Sequence, residues 1–325
     1  MPELSKFTGG GQLVPNGFRA VPALFVDETG QTWANVLEFF TARIRNPNTR
    51  EAYARAVYRF SSWCSDRKID LLHVQPIVVA WYVEDLGVAL ARPSVKLHLA
   101  ALRMLFDFLV VRQSLPVNPA ASVRGPKHSV KRGSTPVLTA DDARSLLDSI
   151  DLGGIAGLRD RALIGVMVFS FARVGAVVAM NTQDYYQHGK RDWFRLHEKG
   201  GKVHDLPAHH KAQEYVDAYL DEAGIRDEKG TPLFRTIDSR RRLTNRRLDR
   251  HEVLAMVKRR AKNAKLGSEI CCHTFRATGI TTYLLNGGTL EKAQQIANHE
   301  SPRTTKLYDR TSDEVTLDEI ERILI

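Results

Sequence analysis

Cysteine is scarce in this sequence, and its placement excludes two kinds of stabilised small domain. The 325 residues contain only Cys64, Cys271 and Cys272, and the last two are adjacent. Three cysteines cannot build a disulfide framework, and no CxxC or Cys/His pair has the spacing of zinc ligands. Unpaired cysteines fit a reducing compartment, so we expect a cytoplasmic protein with no structural metal.

Long uncharged apolar runs are also missing. The most apolar segment, ALIGVMVFSFARVGAVVAM from Ala162 to Met180, carries Arg173 near its middle. A charge inside a membrane span is costly, so the segment predicts a buried helix, and no membrane is expected among the partners. The first residues, MPELSKFTGG, lack a charged region followed by an apolar run, so we expect no secretory signal.

Acidic residues are outnumbered: 37 Asp and Glu stand against 47 Lys and Arg, which gives a net charge of +10 and a pI near 9.6. Such an excess favours a polyanionic partner, most often nucleic acid, over a merely soluble basic protein. The hydrophobic fraction of 43% is enough for an ordinary core, and the length favours two domains.

Composition and periodicity divide the chain into five segments. We expect a loose N-terminal arm over residues 1–30, a helical domain over 31–123, a basic linker over 124–136, a second domain over 137–312 and a short acidic helix over 313–325. The helical domain shows apolar stripes at helical spacing, formed by Tyr53, Val57, Phe60 and Cys64 and by Leu99, Leu102, Leu105, Phe106 and Leu109. The predicted fold class is mainly α with a small β-hairpin or sheet.

Two segments of the second domain are informative. RDWFRLHEKGGKVHDLPA breaks the helical period and predicts two strands joined at Gly200-Gly201. LTNRRLDRHEVLAMVKRRAKNAKLG predicts a helix capped by Thr244, with Leu254, Val257 and Ala261 facing inward. Between Arg235 and Lys265 there are twelve Lys or Arg against three Asp or Glu, which favours contact with DNA over a solvated charged face.

The candidate DNA contacts are basic side chains from both domains and the linker. They are Arg50, Arg92, Lys96, Arg103, Lys127, Lys131, Arg132, Arg241, Arg242, Arg246, Arg247 and Arg250.

Two motifs near the C-terminus carry the chemistry. CHTFRATG holds His273 and Arg276, which share one face if the segment is helical. NHESPRTTKLYDR places Tyr308 nine residues after His299, among threonines and basic side chains. These surroundings suit a phenol that meets a phosphate.

Together with two upstream residues, these motifs supply what a metal-free phosphodiester transfer requires. Arg173 and Arg276 offer two guanidiniums for the phosphate oxygens, and Lys199 on the hairpin turn offers a proton. Tyr308 offers a nucleophile, whose ordinary pKa of ~10 requires activation by cations and a histidine. No carboxylate cluster for Mg²⁺ accompanies them, so no metal or other cofactor is expected. Each residue alone has an ordinary structural explanation; the combination favours catalysis.

The C-terminal half closely resembles the tyrosine recombinases, the phage integrases with their Xer and Cre branches. HTFR matches the family's His-x-x-Arg box, and HESPRTTKLY matches its second box with the nine-residue spacing intact. GLRDRALIGVMVFSFARVGAVVAM resembles the segment of the first arginine, here Arg173, and EKGGKVHDLP resembles the lysine hairpin, here Lys199. With weaker similarity in NTREAYARAVYRFSSW and VKLHLAALRMLFDFLVV, the resemblance covers about residues 32 to 312.

The resemblance implies a mechanism and a set of roles. Arg173 and Arg276 would clamp the scissile phosphate, with His273 and His299 completing the hydrogen bonds around it. His273 would accept the proton of Tyr308, which would form a 3′-phosphotyrosyl bond. Lys199 would protonate the departing 5′-hydroxyl, and strand exchange would proceed through a Holliday junction without metal or ATP.

The resemblance also implies partners. These are double-stranded DNA with inverted-repeat core sites and further copies of the chain, as a dimer on each site and a tetramer in synapsis. Both domains would form a C-shaped clamp on the duplex, with the C-terminal helix docking on a neighbouring protomer or on its own domain. Accessory proteins are left open, and a nucleoid-associated cytoplasmic location is expected.

The sequence departs from the family pattern near the first arginine. The usual Thr-Gly-Leu-Arg is SFAR, and the acidic residue common three positions later is Ala176. Another residue must therefore position the neighbouring basic groups. Leu-Gly before the second histidine is AN, which leaves His299 in place.

Two other functions remain open at this point. A type IB topoisomerase-like enzyme would share the tyrosine chemistry and relax supercoils without strand exchange. A DNA-binding regulator would have lost catalysis, although the complete residue set weighs against this.

Overall fold

The computed structural model describes residues 5–7, 13–15, 22–128, 133–198, 200–310 and 320–321. The chain divides into two compact units, Met1–Ser129 and Val130–Ile325. Among the predicted residues, Lys131, Arg132 and Lys199 lie outside the described part, as do most of the arm and most of the C-terminal helix.

The first unit is helical. Its helices are α1 (Gln31–Glu38), which continues as a π-turn over Phe39–Arg43, α2 (Pro47–Asp66), α3 (Pro76–Ala89) and α4 (Arg92–Val111). Asn46 caps α2 by accepting hydrogen bonds from the backbone N–H of Asn48 and Thr49. Of the two predicted apolar stripes, all but the half-buried Tyr53 are buried in the core, which confirms the helical reading of this segment.

The predicted loose arm ends earlier than residue 30. A short strand β1 (Ser5–Phe7) pairs antiparallel with β2 (Leu13–Pro15). Leu24 and Phe25 then lie in the core of the first unit, at 5% and 0% exposure. Burial of these two side chains fixes residues that the Gly- and Pro-rich composition had placed outside the domain.

The second unit combines helices with small antiparallel sheets. Its helices are α5 (Ala140–Asp148), α6 (Ile155–Phe169), α7 (Val174–Ala179), α8 (His210–Ala223), α9 (Arg250–Asn263), α10 (Cys272–Leu285), α11 (Leu290–Ala297) and α12 (Pro302–Lys306). Its strands are β3 (Tyr185–His188), β4 (Arg191–His197), β5 (Val203–Pro207), β6 (Arg235–Ile237) and β7 (Leu243–Arg247). The predicted mainly α fold with small sheets is confirmed.

The predicted glycine hairpin is confirmed as the β4–β5 pair. Strand β4 lies between β3 and β5, and Leu196 pairs with His204 near the turn. Gly200 and Gly201 both adopt left-handed backbone, with φ of 81° and 77°, which only glycine adopts without strain.

The predicted long basic helix is wrong in its first half. Residues Leu243–Arg247 form strand β7, paired with β6, and the helix begins only at Arg250. Asp249 caps it in place of Thr244, because Glu252 three residues on completes a capping box. The shift exposes Leu254 and leaves Val257 and Ala261 buried as predicted.

Within the described residues, no helix has both the length and the apolar character that crossing a membrane requires.

Candidate active site

Arg173 occupies a break in the apolar segment, where one continuous helix was predicted. Helix α6 ends at Phe169, and α7 starts at Val174 with Arg173 as its extended N-cap. Ser170 Oγ donates to the carbonyl of Val166 at 2.6 Å, and Phe171 takes a left-handed φ of 54°, so the helical path stops here. The break releases Arg173 from the buried helix and leaves 39% of its side chain exposed.

A buried carboxylate holds Arg173. Arg173 Nη1 donates to Glu198 Oε2 at 2.9 Å, and the Glu198 side chain is only 5% exposed. Glu198 follows β4 directly, at the start of the glycine turn. Sequence reasoning missed Glu198, although the missing acid at Ala176 signalled that Arg173 needed another partner.

Arg276 lies deep in the site. His273 and Arg276 stand one turn apart on α10, as their spacing predicted. Arg276 is 1% exposed; its Nη1 donates to the carbonyl of Phe171, and its Nη2 donates to the carbonyl of Ala297 at 2.7 Å. The first of these carbonyls is free because the helix breaks at Phe171.

One nitrogen of the Arg276 guanidinium can still donate a hydrogen bond. Its Nε is buried and has no hydrogen-bond acceptor among the described residues. Burial, and then repulsion from Arg173, lowers the pKa of Arg276 to about 10, whereas Tyr308 and Glu198 act in the opposite direction. Arg276 therefore stays charged at neutral pH and keeps one unused donor inside the site.

His299 and Tyr308 form a stacked pair. Asn298 ends α11 in left-handed backbone with φ of 48°, and His299 follows it. The His299 and Tyr308 rings lie nearly parallel, at 9°, with centroids 5.7 Å apart, and His299 Nδ1 is 2.9 Å from Thr305 Oγ1. Thr281 Oγ1 donates to the Tyr308 carbonyl at 2.8 Å, which fixes the backbone of the tyrosine.

Both histidines are kept neutral by their surroundings. Burial lowers the pKa of His299 to about 3, helped by the charges of Arg276, Arg173 and His273. Desolvation by the surrounding protein also lowers the pKa of His273, followed by the charges of Arg276 and Arg173, although the residue as a whole is exposed. These mutual electrostatic effects place the two arginines and the two histidines in one site, with Tyr308 against His299.

The hairpin that carries Lys199 is joined to this site through Glu198. Glu198 binds Arg173, and its backbone N–H donates to the carbonyl of Lys202 at 2.8 Å, closing the turn. Lys202 Nζ lies 2.6 Å from Glu300 Oε1, in the segment that follows α11. Lys199 itself lies outside the described residues, so its place at the site stays a prediction.

Three of the predicted DNA contacts also support the fold. Arg50 donates to the carbonyl of Ile44, Arg103 to the carbonyls of Ala120 and Val123, and Arg247 to the carbonyls of Val178 and Met180. Bonds from an arginine to two carbonyls tie separate segments together. The sequence predicted DNA contact for these three arginines and gave no sign of their hydrogen bonds to the backbone.

The remaining described candidates lie on the surface. Arg242 pairs with Asp238 and Arg246 with Glu252. The other exposed candidates are Arg92, Lys96, Lys127, Arg241 and Arg250. Exposure fits contact with a phosphate backbone, and DNA binding by these residues stays a prediction.

The two arginines, the two histidines and Tyr308 can together carry out one kind of reaction. Two guanidiniums can bind and neutralise an oxyanion, and neutral imidazoles can accept a proton or donate a hydrogen bond. A tyrosine beside them can act as a nucleophile on phosphorus once its proton is removed. The observed grouping therefore suits covalent phosphoryl transfer.

Comparison with known families matches both units. The Phage integrase family model matches residues 136–314, and the model of the phage integrase N-terminal SAM-like domain matches residues 37–113. The chain is 28% identical over 268 residues to tyrosine recombinase XerC of Thermodesulfovibrio yellowstonii, covering 80% of this chain and 85% of that protein. It is 28% identical over 282 residues to XerC of Pelobacter propionicus, covering 85% and 89%.

Solved structures share the fold. XerH recombinase in a post-cleavage complex with a palindromic difH substrate superposes with a TM-score of 0.68 at 17% identity, covering 87% of this chain and 86% of that one. A lambda integrase fragment, residues 75–356, crystallised as a dimer on a COC′ core site, gives 0.66 at 18% identity, covering 88% and 99%.

Proposed function

This chain belongs to the phage integrase family and is a tyrosine site-specific recombinase, and we propose that Tyr308 is its nucleophile in DNA strand cleavage. The observation that carries the proposal is the packing of Tyr308 against neutral His299 beside the buried charge of Arg276. A phenol held there meets the cation and the imidazole that its activation requires.

Arg173 and Arg276 bind the scissile phosphate in this proposal. Arg173 uses only Nη1 on Glu198, and its side chain makes no other hydrogen bond within the described part of the chain. Arg276 keeps Nε without an acceptor there. The two free donor sets can hold the non-bridging oxygens and stabilise the charge of the pentacoordinate transition state.

Proton transfer accompanies two changes in bonding at phosphorus. Tyr308 Oη forms a bond to phosphorus as its proton passes to His273, and the bond from phosphorus to the 5′ oxygen breaks. Lys199 supplies the proton that the departing 5′ oxygen takes up. The neutral state of His273, which its lowered pKa favours, leaves the ring able to accept that proton.

The substrate in this proposal is double-stranded DNA with inverted-repeat core sites. The net charge of +10 and the exposed basic side chains of both units support binding to the phosphate backbone. Two copies bind one site, and four copies assemble when two sites meet. The similar structures named above are recombinases bound to DNA, one of them as a dimer on a core site.

The C-terminal tail joins neighbouring copies in this assembly. Residues 313–325 carry five acidic side chains against one arginine. The second unit offers a cavity of about 1080 Å³, whose lining includes the rings of Phe169 and Tyr283 and more basic than acidic side chains, namely Arg144, Arg191 and Lys211 against Asp148. Arg144 and Lys211 already pair with the exposed acids Asp141 and Glu214, so Arg191 is the basic side chain that we assign to the tail. The apolar rings and this charge suit an acidic amphipathic helix, and the cavity is the acceptor for a neighbour's tail in this proposal.

The experiment begins with a library of nicked, partly randomised duplexes. SDS-resistant adducts are collected and sequenced, which identifies the site, and Tyr308→Phe is the control. A plasmid with two copies of that site is then incubated with the protein, with no added metal or ATP. Recombinant circles support the proposal, whereas relaxed plasmid alone indicates a topoisomerase.

Two further outcomes complete the design. Tight DNA binding without adducts would indicate a regulator and contradict the proposal. A chain that ends at residue 312 should still cleave its site, but it should lose strand exchange, since exchange needs contacts between copies. Unchanged strand exchange by the shortened chain would contradict a role of the tail in joining the copies.

A further inference from the structure

One acidic side chain sits inside the otherwise cationic site, and the proposed chemistry gives it no part. Glu198 is 9% exposed as a residue, and its carboxylate accepts from Arg173 Nη1 at 2.9 Å. A buried carboxylate without a charged partner is strongly unfavourable, so this acid and Arg173 are each held by the other.

We infer that Glu198 is a positioning residue that fixes the guanidinium of Arg173 for phosphate binding. The inference rests on the proposed function. Arg173 is less constrained than Arg276, because its side chain is 39% exposed, against 1% exposure of Arg276, and its backbone lies at a helix break. A single carboxylate contact removes rotational freedom and leaves the remaining nitrogens for the phosphate.

The arrangement argues against a carboxylate that competes with substrate. Only 5% of the Glu198 side chain is exposed, whereas 39% of the Arg173 side chain is, so solvent and substrate reach the arginine more readily than the carboxylate. The carboxylate therefore need not leave when a phosphate arrives. Its charge also acts to raise the pKa of Arg276, against the stronger lowering by burial and Arg173, so it eases the repulsion between the two guanidiniums.

The backbone of Glu198 extends the effect to the hairpin. Its N–H donates to the carbonyl of Lys202 at 2.8 Å and closes the turn that contains Lys199. Lys202, at the end of the same turn, forms an exposed ion pair with Glu300 from the segment after α11. Their side chains are 58% and 85% exposed. Exposed pairs contribute little, so this one provides a matched control for the buried pair.

The test measures single-turnover cleavage of the selected nicked site by Glu198→Ala, Glu198→Gln and Glu300→Gln. Glu198→Ala should cleave about 100-fold more slowly and Glu198→Gln about 10-fold more slowly, because glutamine keeps an acceptor and loses the charge. Glu300→Gln should stay within about twofold of the unaltered protein. DNA affinity should change far less than the cleavage rate in both Glu198 variants.

A double variant separates positioning from general structural damage. If Glu198 acts through Arg173, Arg173→Ala combined with Glu198→Ala should cleave no more slowly than Arg173→Ala alone. Fully multiplicative losses, or faster cleavage by Glu198→Ala, would overturn the inference. Circular dichroism and thermal unfolding check that Glu198→Gln is folded, so this variant remains decisive if Glu198→Ala is not.

A substrate with an altered leaving group shows whether Glu198 acts through Arg173 or through Lys199. A duplex with sulfur in place of the bridging 5′ oxygen needs little protonation of the leaving group. Glu198→Ala should stay slow on it, and full rescue would show that the residue acts through Lys199 instead. If the unaltered protein forms no adduct at all, the proposed function fails; normal cleavage by every Glu198 variant refutes only this inference.

Discussion

The two arginines proposed to bind one phosphate sit in regions of very different construction. In the buried half of the site, formed by Arg276, His299 and Tyr308, the backbone carbonyls of Phe171 at the helix break and of Ala297 at the end of α11 fix the guanidinium. In the exposed half, formed by Arg173 and Glu198, one side-chain ion pair does so. Replacing Arg276 should therefore destabilise the fold, whereas Arg173 can be replaced without loss of the fold.

Arg276→Lys should give the largest effect. A lysine cannot reach two carbonyls with a planar fork, so the carbonyls of Phe171 and Ala297 lose their donor and the ammonium lies buried. We expect cleavage to fall by at least ~10³ and the free energy of unfolding to fall by about 3 kcal/mol. Adduct formation and urea unfolding measure the two losses, and an unchanged stability would break the comparison.

Arg173→Lys should cost less, and only in catalysis. Lysine can still approach Glu198, and the site is partly open to water, so the free energy of unfolding should change by less than ~1 kcal/mol. The loss of the second guanidinium nitrogen should slow cleavage by about 10². If this variant is as unstable as Arg276→Lys, the two halves are not built differently.

The pH dependence of stability tests the buried half. The pKa of His299 in the folded protein, about 3, lies below its ordinary value of 6.5, so the unfolded chain binds the proton more readily. Stability should therefore fall as pH drops below 6.5 and continue to fall towards pH 3. Relative to His299→Asn, the unaltered protein should lose roughly 2 kcal/mol more between pH 6.5 and 4.5.

His188→Asn is the control for that measurement. His188 is an exposed residue of β3, and its replacement should leave the pH dependence of urea unfolding as it is. Identical pH profiles for His299→Asn and the unaltered protein would contradict the burial of His299.

The smallest effect is expected on the β6–β7 hairpin, where two neighbouring arginines differ. Arg241 is exposed, and Arg241→Ala should weaken DNA binding by about 3- to 10-fold. The slope of the logarithm of the binding constant against the logarithm of salt concentration should become shallower by about the amount that one phosphate contact contributes. Arg247→Ala should instead lower the unfolding temperature, because Arg247 binds the carbonyls of Val178 and Met180. Fluorescence anisotropy across salt concentrations and thermal unfolding separate these outcomes.

Sequence spacing was enough for the buried half of the site. Arg276 stands three residues after His273 on α10, and Tyr308 stands nine residues after His299, with α12 between them, and the structure brings these side chains together. The glycine hairpin was equally readable, because Gly200 and Gly201 mark a turn that other residues adopt poorly.

The helix break and the ion pair of the exposed half could not be predicted from the sequence. The break at Ser170–Phe171 contains neither glycine nor proline, so local propensity favoured an unbroken helix. It is tertiary contacts that stabilise the break, above all the bond from Arg276 to the Phe171 carbonyl. The pairing of Glu198 with Arg173 joins residues 25 positions apart, which no local pattern encodes.

The strand β7 shows a signal that was present and overlooked. Thr244 resembles a helix cap, but the residue three positions on is Arg247, whereas Asp249 is followed at that distance by Glu252. Reciprocal capping by Asp249 and Glu252 favours a helix start there, and the preceding residues are then free to pair with β6.

The central claim is that Tyr308 forms the covalent bond to DNA, and peptide mapping of the trapped adduct tests it most directly. The adduct is digested with nuclease and protease, and mass spectrometry locates the nucleotide remnant among the nine tyrosines of the chain. The account predicts the remnant on the peptide that contains Tyr308, and no adduct from Tyr308→Phe. A remnant on any other residue would contradict it.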